Sequence, residues 1–389
     1  MSYGRWLFAA LWAASFLIVF AMSLCSPAIP YLVRGFMAGE AAVAAVIGYL
    51  SSAYSLARTV GSFVGGPLTD RVGAIKVILA SLLPLPLSYA FYYFAKDWRH
   101  LLLGELTAGL CTGLSSPSFS AVVANVVPKG ARGTAFGVFN LSWILSQIPA
   151  PAIGGYLSKF MGLRSSFAVA ALISAATPLM LVGALRSLKR REGGLPGFKG
   201  SGALPFTRAL ACFCAISFLY GLGNGIAIPL LFTFIMYGLK ASVAEMGTAI
   251  SVGWGVATAL SQLLGGRLTD KIGSRNLIVL STIGAIPTYL LIPYSPTLYH
   301  FTLLMAVTCL VGNMSPPALS AWIADKIGKA GLGRGFGYAS AFSNLGSIIG
   351  PIFGGLSWPL FYVSPLLPFL LAGSPLLLTL PLLFLIERK

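Results

Sequence analysis

The segment GGPLTDRVG at residues 65–73 returns as GGRLTDKIG at residues 265–273, 200 positions further along the chain. Other pairs of residues keep the same offset: His100 with His300, Pro117 with Pro317, Ser120 with Ser320, Phe136-Gly137 with Phe336-Gly337, and Pro151, Gly154 and Gly155 with Pro351, Gly354 and Gly355. Chance can supply one such match, but not a constant register over about 90 residues on each side. The chain therefore consists of two homologous halves.

The composition restricts these halves to a membrane. Of 389 residues, 9% are charged and 57% are hydrophobic, whereas a typical soluble domain carries about 25% charged residues. A soluble globule and a disordered chain are both excluded. Apolar runs of about 20 residues, the length that crosses a bilayer, predict twelve spans. These are numbered 1 to 12 and expected at residues 6–31, 41–66, 75–95, 100–125, 134–158, 165–186, 208–237, 243–266, 276–294, 300–323, 336–358 and 363–386.

The expected fold class is an all-α polytopic membrane protein, with 12 transmembrane helices arranged as two parallel six-helix repeats. An even number of spans in each half gives both halves the same orientation, so an axis along the membrane normal relates them. A site shared by two such halves lies near the midplane and can open alternately to each side. This pattern already favours transport.

The charge distribution predicts the topology. With both termini inside, 19 of the 26 Lys and Arg residues fall on inner segments, 6 on outer segments and Arg58 within a span. This positive-inside bias explains the net charge of +17 without a nucleic-acid partner. We expect a multi-pass protein of the cell membrane that works as a monomer and has cytoplasmic termini.

The expected domains are a first six-helix bundle at residues 1–186, a cytoplasmic linker at 187–207 and a second bundle at 208–389. The linker combines a basic cluster with a stretch that contains glycine and proline. The basic residues are also compatible with contact to anionic lipid headgroups.

The repeated segment resembles the loop signature of the major facilitator superfamily, and the resemblance extends over essentially the whole chain. The signature residues are Gly66, Leu68, Asp70, Arg71 and Gly73 between spans 2 and 3, and Gly266, Leu268, Asp270, Lys271, Gly273 and Arg275 between spans 8 and 9. Ala74 and Ile75 depart from the family's preference for basic residues. The resemblance implies a gate in which Asp70 accepts hydrogen bonds from arginines or helix N-termini.

A second resemblance concerns the glycines and the proline of span 11. Gly337, Gly346, Gly350, Pro351, Gly354 and Gly355 are similar to a pattern that drug:proton antiporters of the superfamily carry in span 5. Span 5 of this chain keeps Pro151 but has Ser146 and Ala150 at two of the small positions. Small residues permit close helix packing and proline permits a bend where a gate could pivot. Generic close packing explains the pattern equally well.

Two charged residues are expected inside spans, where charges are rare and usually functional. Glu105 replaces a basic residue that the family associates with proton transfer, and a carboxylate in low dielectric can exchange a proton. We predict that Glu105 couples transport to protons; an interfacial acid is the other interpretation. Arg58 is interpreted as a fixed cation that holds an anionic group or a structural partner, or as a side chain that snorkels to the inner surface. At about 16 Å of difference in depth, the two do not pair directly.

By resemblance, spans 1, 4, 7 and 10 line a substrate cavity. The candidate contacts are polar or aromatic: Tyr31, Thr112, Tyr220, Asn224 and Asn313, supported from spans 5 and 8 by Asn140, Trp143, Gln147 and Trp254. Each of them is equally compatible with helix packing. The sequence has no nucleotide-binding loop and no catalytic or metal constellation, so we expect no cofactor, no metal and no enzyme.

The leading functional prediction is a secondary transporter that works by alternating access and exports small, partly apolar solutes in exchange for protons. Uptake or facilitated movement of a small organic anion or sugar is the alternative within transport. A membrane sensor that binds a ligand without moving it is the alternative from another class.

Overall fold

The structure is a computed structural model that describes residues 2–126, 132–189, 207–327 and 332–386. Within these ranges the chain forms helices joined by short turns, and no strand occurs. In the first half the α-helices are Ser2–Cys25, Ala28–Phe36, Glu40–Val72, Ala74–Leu82, Leu85–Tyr93, Trp98–Val126, Arg132–Ser146, Ala150–Met161 and Ser165–Lys189. In the second half they are Arg208–Thr233, Val243–Ala249, Ala257–Ile272, Ser274–Leu291, Leu298–Gly312, Ser315–Ile327, Leu332–Leu356 and Leu366–Leu385.

Ten helical stretches of the described chain are long and apolar enough to cross a membrane, and they correspond to predicted spans 1–4, 6–10 and 12. Spans 5 and 11 correspond to the helices Arg132–Ser146 with Ala150–Met161, and Leu332–Leu356. The prediction of an all-α polytopic fold is confirmed. The predicted linker at 187–207 lies almost wholly outside the described residues.

Several predicted spans are interrupted, and some of the interruptions lie beside a proline. Span 5 ends one helix at Ser146 and begins the next at Ala150, with Pro149 in the turn. Spans 1 and 3 also break, the latter next to Pro84. Because proline lacks an N–H and its ring clashes with the preceding turn, continuous apolar runs were too simple a criterion for continuous helices.

Span 11 behaves differently. It contains Pro351, at the position equivalent to Pro151, but remains one α-helix over Leu332–Leu356. The second half also has two π-helical segments, Phe234–Gly238 at the end of span 7 and Ile250–Val256 in span 8. Wider π-turns occur often where a helix is adapted to a function.

The chain forms two compact units. One consists of Met1–Leu32 and Ala53–Gly200, and the other of Val33–Ser52 and Ser201–Lys389. In the first unit the ring of Tyr92 stacks on Phe167 with centroids 5.1 Å apart. In the second, an apolar core around Phe213 and Trp322, whose rings meet edge to face at 5.5 Å, joins spans 7, 9, 10, 11 and 12.

Glycines of span 11 allow a close helix contact inside the second unit. A Cβ atom at Gly350 would lie 2.5 Å from the backbone oxygen of Leu222, and one at Gly354 would collide with that of Ile226. Backbones can approach this closely only where side chains are absent. The predicted packing role of the span 11 glycines is therefore present in the structure, which does not test their role in antiport.

The repeated loop signature forms the same turn twice. Gly73 and Gly273 have φ angles of 97° and 83°, a region that residues with side chains rarely adopt. The N–H of each donates to the backbone carbonyl of the threonine four residues earlier, at 3.0 Å. Each turn ends one helix and starts the next, at Ala74 and Ser274. This backbone conformation explains why both segments end in glycine.

Candidate functional site

The first unit contains a cavity of about 290 Å³ that four of the predicted residues share. Arg58, Thr112, Asn140 and Trp143 all line it, although they come from three different spans. The rest of the wall is made of small hydroxyl and apolar side chains: Ser15, Ile18, Val19, Met22, Ser115, Ser116, Phe119, Ser120 and Phe139. The cavity therefore combines one cation with an apolar and weakly polar wall. We call it the first-unit cavity.

Glycines in span 4 bring Arg58 to this cavity. A Cβ at Gly113 would collide with the backbone oxygen of Arg58, and one at Gly109 would lie 2.5 Å from that of Tyr54. Spans 2 and 4 therefore run in backbone contact here. The hydroxyl groups of Tyr54 and Thr112 lie 3.2 Å apart across the same contact.

The guanidinium of Arg58 lies over the indole of Trp143, 5.4 Å from the ring centroid. An aromatic face attracts a cation without neutralising its charge. The structure shows one ion pair among the described residues, between His100 and Asp97. Arg58 therefore has no carboxylate partner within the described part of the chain. It therefore leaves a net positive charge in the first-unit cavity.

Glu105 does not line that cavity. It is half-buried in the helix Trp98–Val126, and its carboxylate accepts a hydrogen bond from the hydroxyl of Tyr92, which is buried. Tyr89 and Cys25 are close enough to interact with it electrostatically. The hydroxyl of Tyr89 is itself buried and has no hydrogen-bond partner in the described structure.

The second unit contains a cavity of about 130 Å³, called here the second-unit cavity. Its wall includes Tyr220, Asn224, Trp254 and Asn313, the four residues predicted for this half. The amides of both asparagines donate to the protein: Asn224 to the Tyr220 carbonyl at 3.0 Å, and Asn313 to the Thr258 hydroxyl at 2.8 Å. Spans 9 and 12 also contribute to the wall, through residues that include Thr282, Tyr289 and Leu376.

Two predicted contacts lie outside both cavities. Tyr31 belongs to the helix Ala28–Phe36, after the break in span 1, and does not line the first-unit cavity. Gln147 lies one turn beyond Trp143 and donates to its carbonyl at 3.2 Å, at the break in span 5. Both miss the wall because the helices that carry them end or turn before these positions.

The predicted gate residues lie at helix ends. Asp70 and Asp270 are exposed, and neither forms an ion pair within the described ranges; residues 127–131 and 328–331 are outside those ranges. Arg275 lies over the ring of Phe384, 4.4 Å from its centroid. The roles of Gly66, Arg71, Gly266 and Lys271 at a gate stay predictions.

Sequence reasoning missed three tyrosines, Tyr89, Tyr92 and Tyr289. The offset of 200 could have identified the first and the last, because they are equivalent positions in the repeat. Tyr92 could not be found in this way, since its equivalent is Ile292. Within the described residues no cluster of three His, Cys, Asp or Glu could hold a metal ion.

Comparisons with known proteins agree with this architecture. A family model described as Major Facilitator Superfamily matches residues 11–216 and again residues 213–389. Multidrug resistance protein 2 of Bacillus subtilis (strain 168) is 27% identical over 359 residues, which cover 88% of this chain and 86% of that protein. The multi-drug resistance efflux pump PmrA of Streptococcus pneumoniae (strain ATCC BAA-255 / R6) is 23% identical over 352 residues, covering 88% and 87%.

Solved structures share the fold. A bacterial homolog of the human lysosomal transporter Spinster superposes with a TM-score of 0.81 at 15% identity, covering 100% of this chain and 97% of the other. A D-xylose-proton symporter superposes with a TM-score of 0.77 at 14% identity, covering 99% and 98%.

The family match over both halves identifies this duplicated, all-helical chain as a membrane transporter and not an enzyme. The chain belongs to the major facilitator superfamily, because the family model matches both halves. The resemblance that the loop signatures indicated is thereby confirmed. The solutes carried by this family are small molecules.

Proposed function

We propose that this protein exports small, partly apolar solutes across the cell membrane in exchange for protons, by alternating access. The names of its relatives, which describe multidrug resistance and efflux, support export. The termini would be cytoplasmic and the working unit a monomer. The signature loops around Asp70 and Asp270 would stabilise one state of the gate.

The observation that carries proton coupling is the setting of Glu105. Its carboxylate lies within an apolar helix, and the buried Tyr92 hydroxyl donates to it. A carboxylate held by one neutral donor can bind a proton without breaking an ion pair, so the cost of protonation stays small. Glu105 would then load and release the exchanged proton.

The first-unit cavity favours a second candidate, movement of an organic anion. The Arg58 guanidinium is a cation in a cavity lined by Trp143 and Phe119, and it lacks a carboxylate partner in the described structure. An aromatic carboxylate could bind such a wall through both its charge and its ring. Arg58 and Trp143 would then be substrate contacts together with Thr112 and Asn140.

Proteoliposomes that contain pyranine as a pH indicator test both candidates. Ethidium serves as the cationic probe and carboxyfluorescein as the anionic probe, and proton movement is recorded with each. We expect one of the probes to move against protons. Glu105→Gln should reduce proton movement by about 100-fold, because the amide keeps the size of the side chain but binds no proton.

Asp97→Asn is the matched control, since it also removes a carboxylate, from an exposed turn where Asp97 bonds to His100. It should leave proton movement unchanged. Probe movement without proton movement in the wild type, or unchanged coupling in the Glu105 variant, would contradict the proposal. Binding without counterflow of labelled probe would indicate a sensor instead.

A further inference from the structure

The hydroxyl of Tyr289 is a buried hydrogen-bond donor that has no acceptor in the described structure. Tyr289 is 9% exposed, lies in span 9 and lines the second-unit cavity. Its hydroxyl oxygen is buried and has no hydrogen-bond partner there. Native proteins leave few buried polar groups unsatisfied, because each one costs free energy that a partner would recover.

The other hydroxyl groups of the wall and the NH2 groups of its two asparagines bond to the protein. Asn224 donates to the Tyr220 carbonyl, and Asn313 donates to the Thr258 hydroxyl. The hydroxyls of Tyr220 and Thr282 lie 3.3 Å apart, and those of Ser281 and Ser315 bond to each other. Tyr289 is therefore the wall residue whose hydroxyl remains to be satisfied.

The rest of the wall is neutral and largely apolar. No Asp, Glu, Lys or Arg lines the cavity, and apolar side chains that include Ala285, Ile286, Ile292 and Met305 form much of its wall. Burying an ion among such groups without a partner is costly. The occupant should accordingly carry no charge.

The volume limits the size of the occupant. The cavity measures about 130 Å³, and an apolar cavity of about 150 Å³ in another protein stays dry and binds benzene. One ring with a short substituent fits this space. A polycyclic molecule does not, unless the remainder of the molecule lies outside the cavity.

We propose that the second-unit cavity binds a neutral, single-ring apolar group that carries a hydrogen-bond acceptor, and that the Tyr289 hydroxyl donates to that acceptor. Tyr289 is then a specificity-determining residue supplied by span 9, whereas the family resemblance points to spans 1, 4, 7 and 10. This inference rests on the proposed function, for which it names one chemical class of substrate group.

Photolabelling of the full chain in lipid nanodiscs tests the proposal. The probe is 4-azidoacetophenone, and mass spectrometry locates its adducts. Two competitors of similar size are compared, acetophenone, which has a carbonyl acceptor, and ethylbenzene, which has none. We expect adducts on cavity residues such as Cys309 and Leu376, which both line the wall, and stronger competition by acetophenone.

The decisive quantity is the ratio of the two competitors' half-maximal concentrations, compared between proteins in the same lipid so that partitioning cancels. In Tyr289→Phe, acetophenone should lose about fivefold of its advantage over ethylbenzene as a competitor, as expected for one lost hydrogen bond. Tyr89→Phe, which removes the equivalent buried hydroxyl from the first unit, is the matched control and should leave the ratio unchanged.

Adducts outside the cavity, or an unchanged ratio in Tyr289→Phe, would overturn the proposal. An equal shift in Tyr89→Phe would also overturn it, because the effect would then not come from this cavity. Since binding is measured without an ion gradient, a failed proton assay contradicts the proposed coupling and leaves this result intact.

Discussion

Equivalent positions of the two repeats carry polar residues in the first unit and apolar residues in the second. In the first unit, Tyr92 donates a hydrogen bond to Glu105. At the equivalent positions, 200 residues later, the second unit has Ile292 and Met305, which line an apolar cavity. The first unit thus has a polar pair where the second has an apolar wall.

What the repeats retain makes this difference informative. Tyr89 and Tyr289 are equivalent, and both hydroxyls are buried without a partner in the described structure. In the first unit that hydroxyl is near a carboxylate, whereas in the second it lies on the wall of a neutral cavity. The duplicated scaffold thus provides the same buried tyrosine twice, in two different chemical surroundings.

The largest expected effect comes from placing the first unit's carboxylate in the second. Met305→Glu should lower the free energy of unfolding by about 3 kcal/mol, because a carboxyl group then occupies an apolar wall without Tyr92. Chemical unfolding in detergent, followed by circular dichroism, measures it.

The double variant Met305→Glu with Ile292→Tyr supplies the missing donor and should recover about 1.5 kcal/mol of that loss. Met305→Gln, of the same shape and without charge, is the control and should cost less than the glutamate. If the glutamate variant is as stable as the wild type, the contrast between the two units has no energetic basis.

The sequence predicted the scaffold well because duplication and hydropathy are properties of the chain alone. The offset of 200 established two halves, and apolar length located the spans. Resemblance to the family then selected residues such as Arg58 and Trp143, or Tyr220 and Asn313, that the structure brings to a common cavity. Their function in binding is still a prediction.

What could not be predicted depends on the rotation and continuity of helices. The bond from Tyr92 to Glu105 joins spans 3 and 4, and its formation depends on how each helix is turned about its axis, which hydropathy leaves open. The break at Pro149 removes Gln147 from the cavity wall. Pro351 in span 11 shows that proline alone does not decide such a break, since that helix continues.

A smaller effect is expected when the alanine of span 5 is placed at the equivalent position of span 11. Ala150 is buried where span 5 restarts, while Gly350 of the continuous span 11 faces the backbone of Leu222. Gly350→Ala should destabilise the protein by about 2 kcal/mol, because the new Cβ would lie 2.5 Å from a backbone oxygen.

Gly337→Ala is the control in the same helix, since nothing lies within 4 Å of its added Cβ. It should be neutral or stabilise the helix by up to about 1 kcal/mol. Equal melting temperatures for the two variants, in the same detergent, would mean that the close contact between spans 7 and 11 does not constrain the second unit.

The smallest effect concerns a contact of the second unit for which the first repeat has no counterpart. The carboxylate of Glu40 accepts hydrogen bonds from the Trp358 indole at 3.3 Å and the Tyr362 hydroxyl at 2.5 Å. The equivalent positions in the first repeat are Ser158 and Gly162, which lack these donors. Tyr362→Phe should cost about 0.5 kcal/mol, since the bond is exposed to solvent.

The pH dependence identifies the source of this small term. The hydrogen bond to Glu40 raises the pKa of Tyr362 above its usual value, so the folded state favours the protonated phenol. The stabilisation is then complete below about pH 10, the ordinary tyrosine value, and is lost as the pH rises through the raised pKa. Melting temperatures of the wild type and Tyr362→Phe should therefore differ at pH 8 and converge above about pH 10. A difference between the wild type and Tyr362→Phe that persists at high pH would assign the effect to packing of the ring.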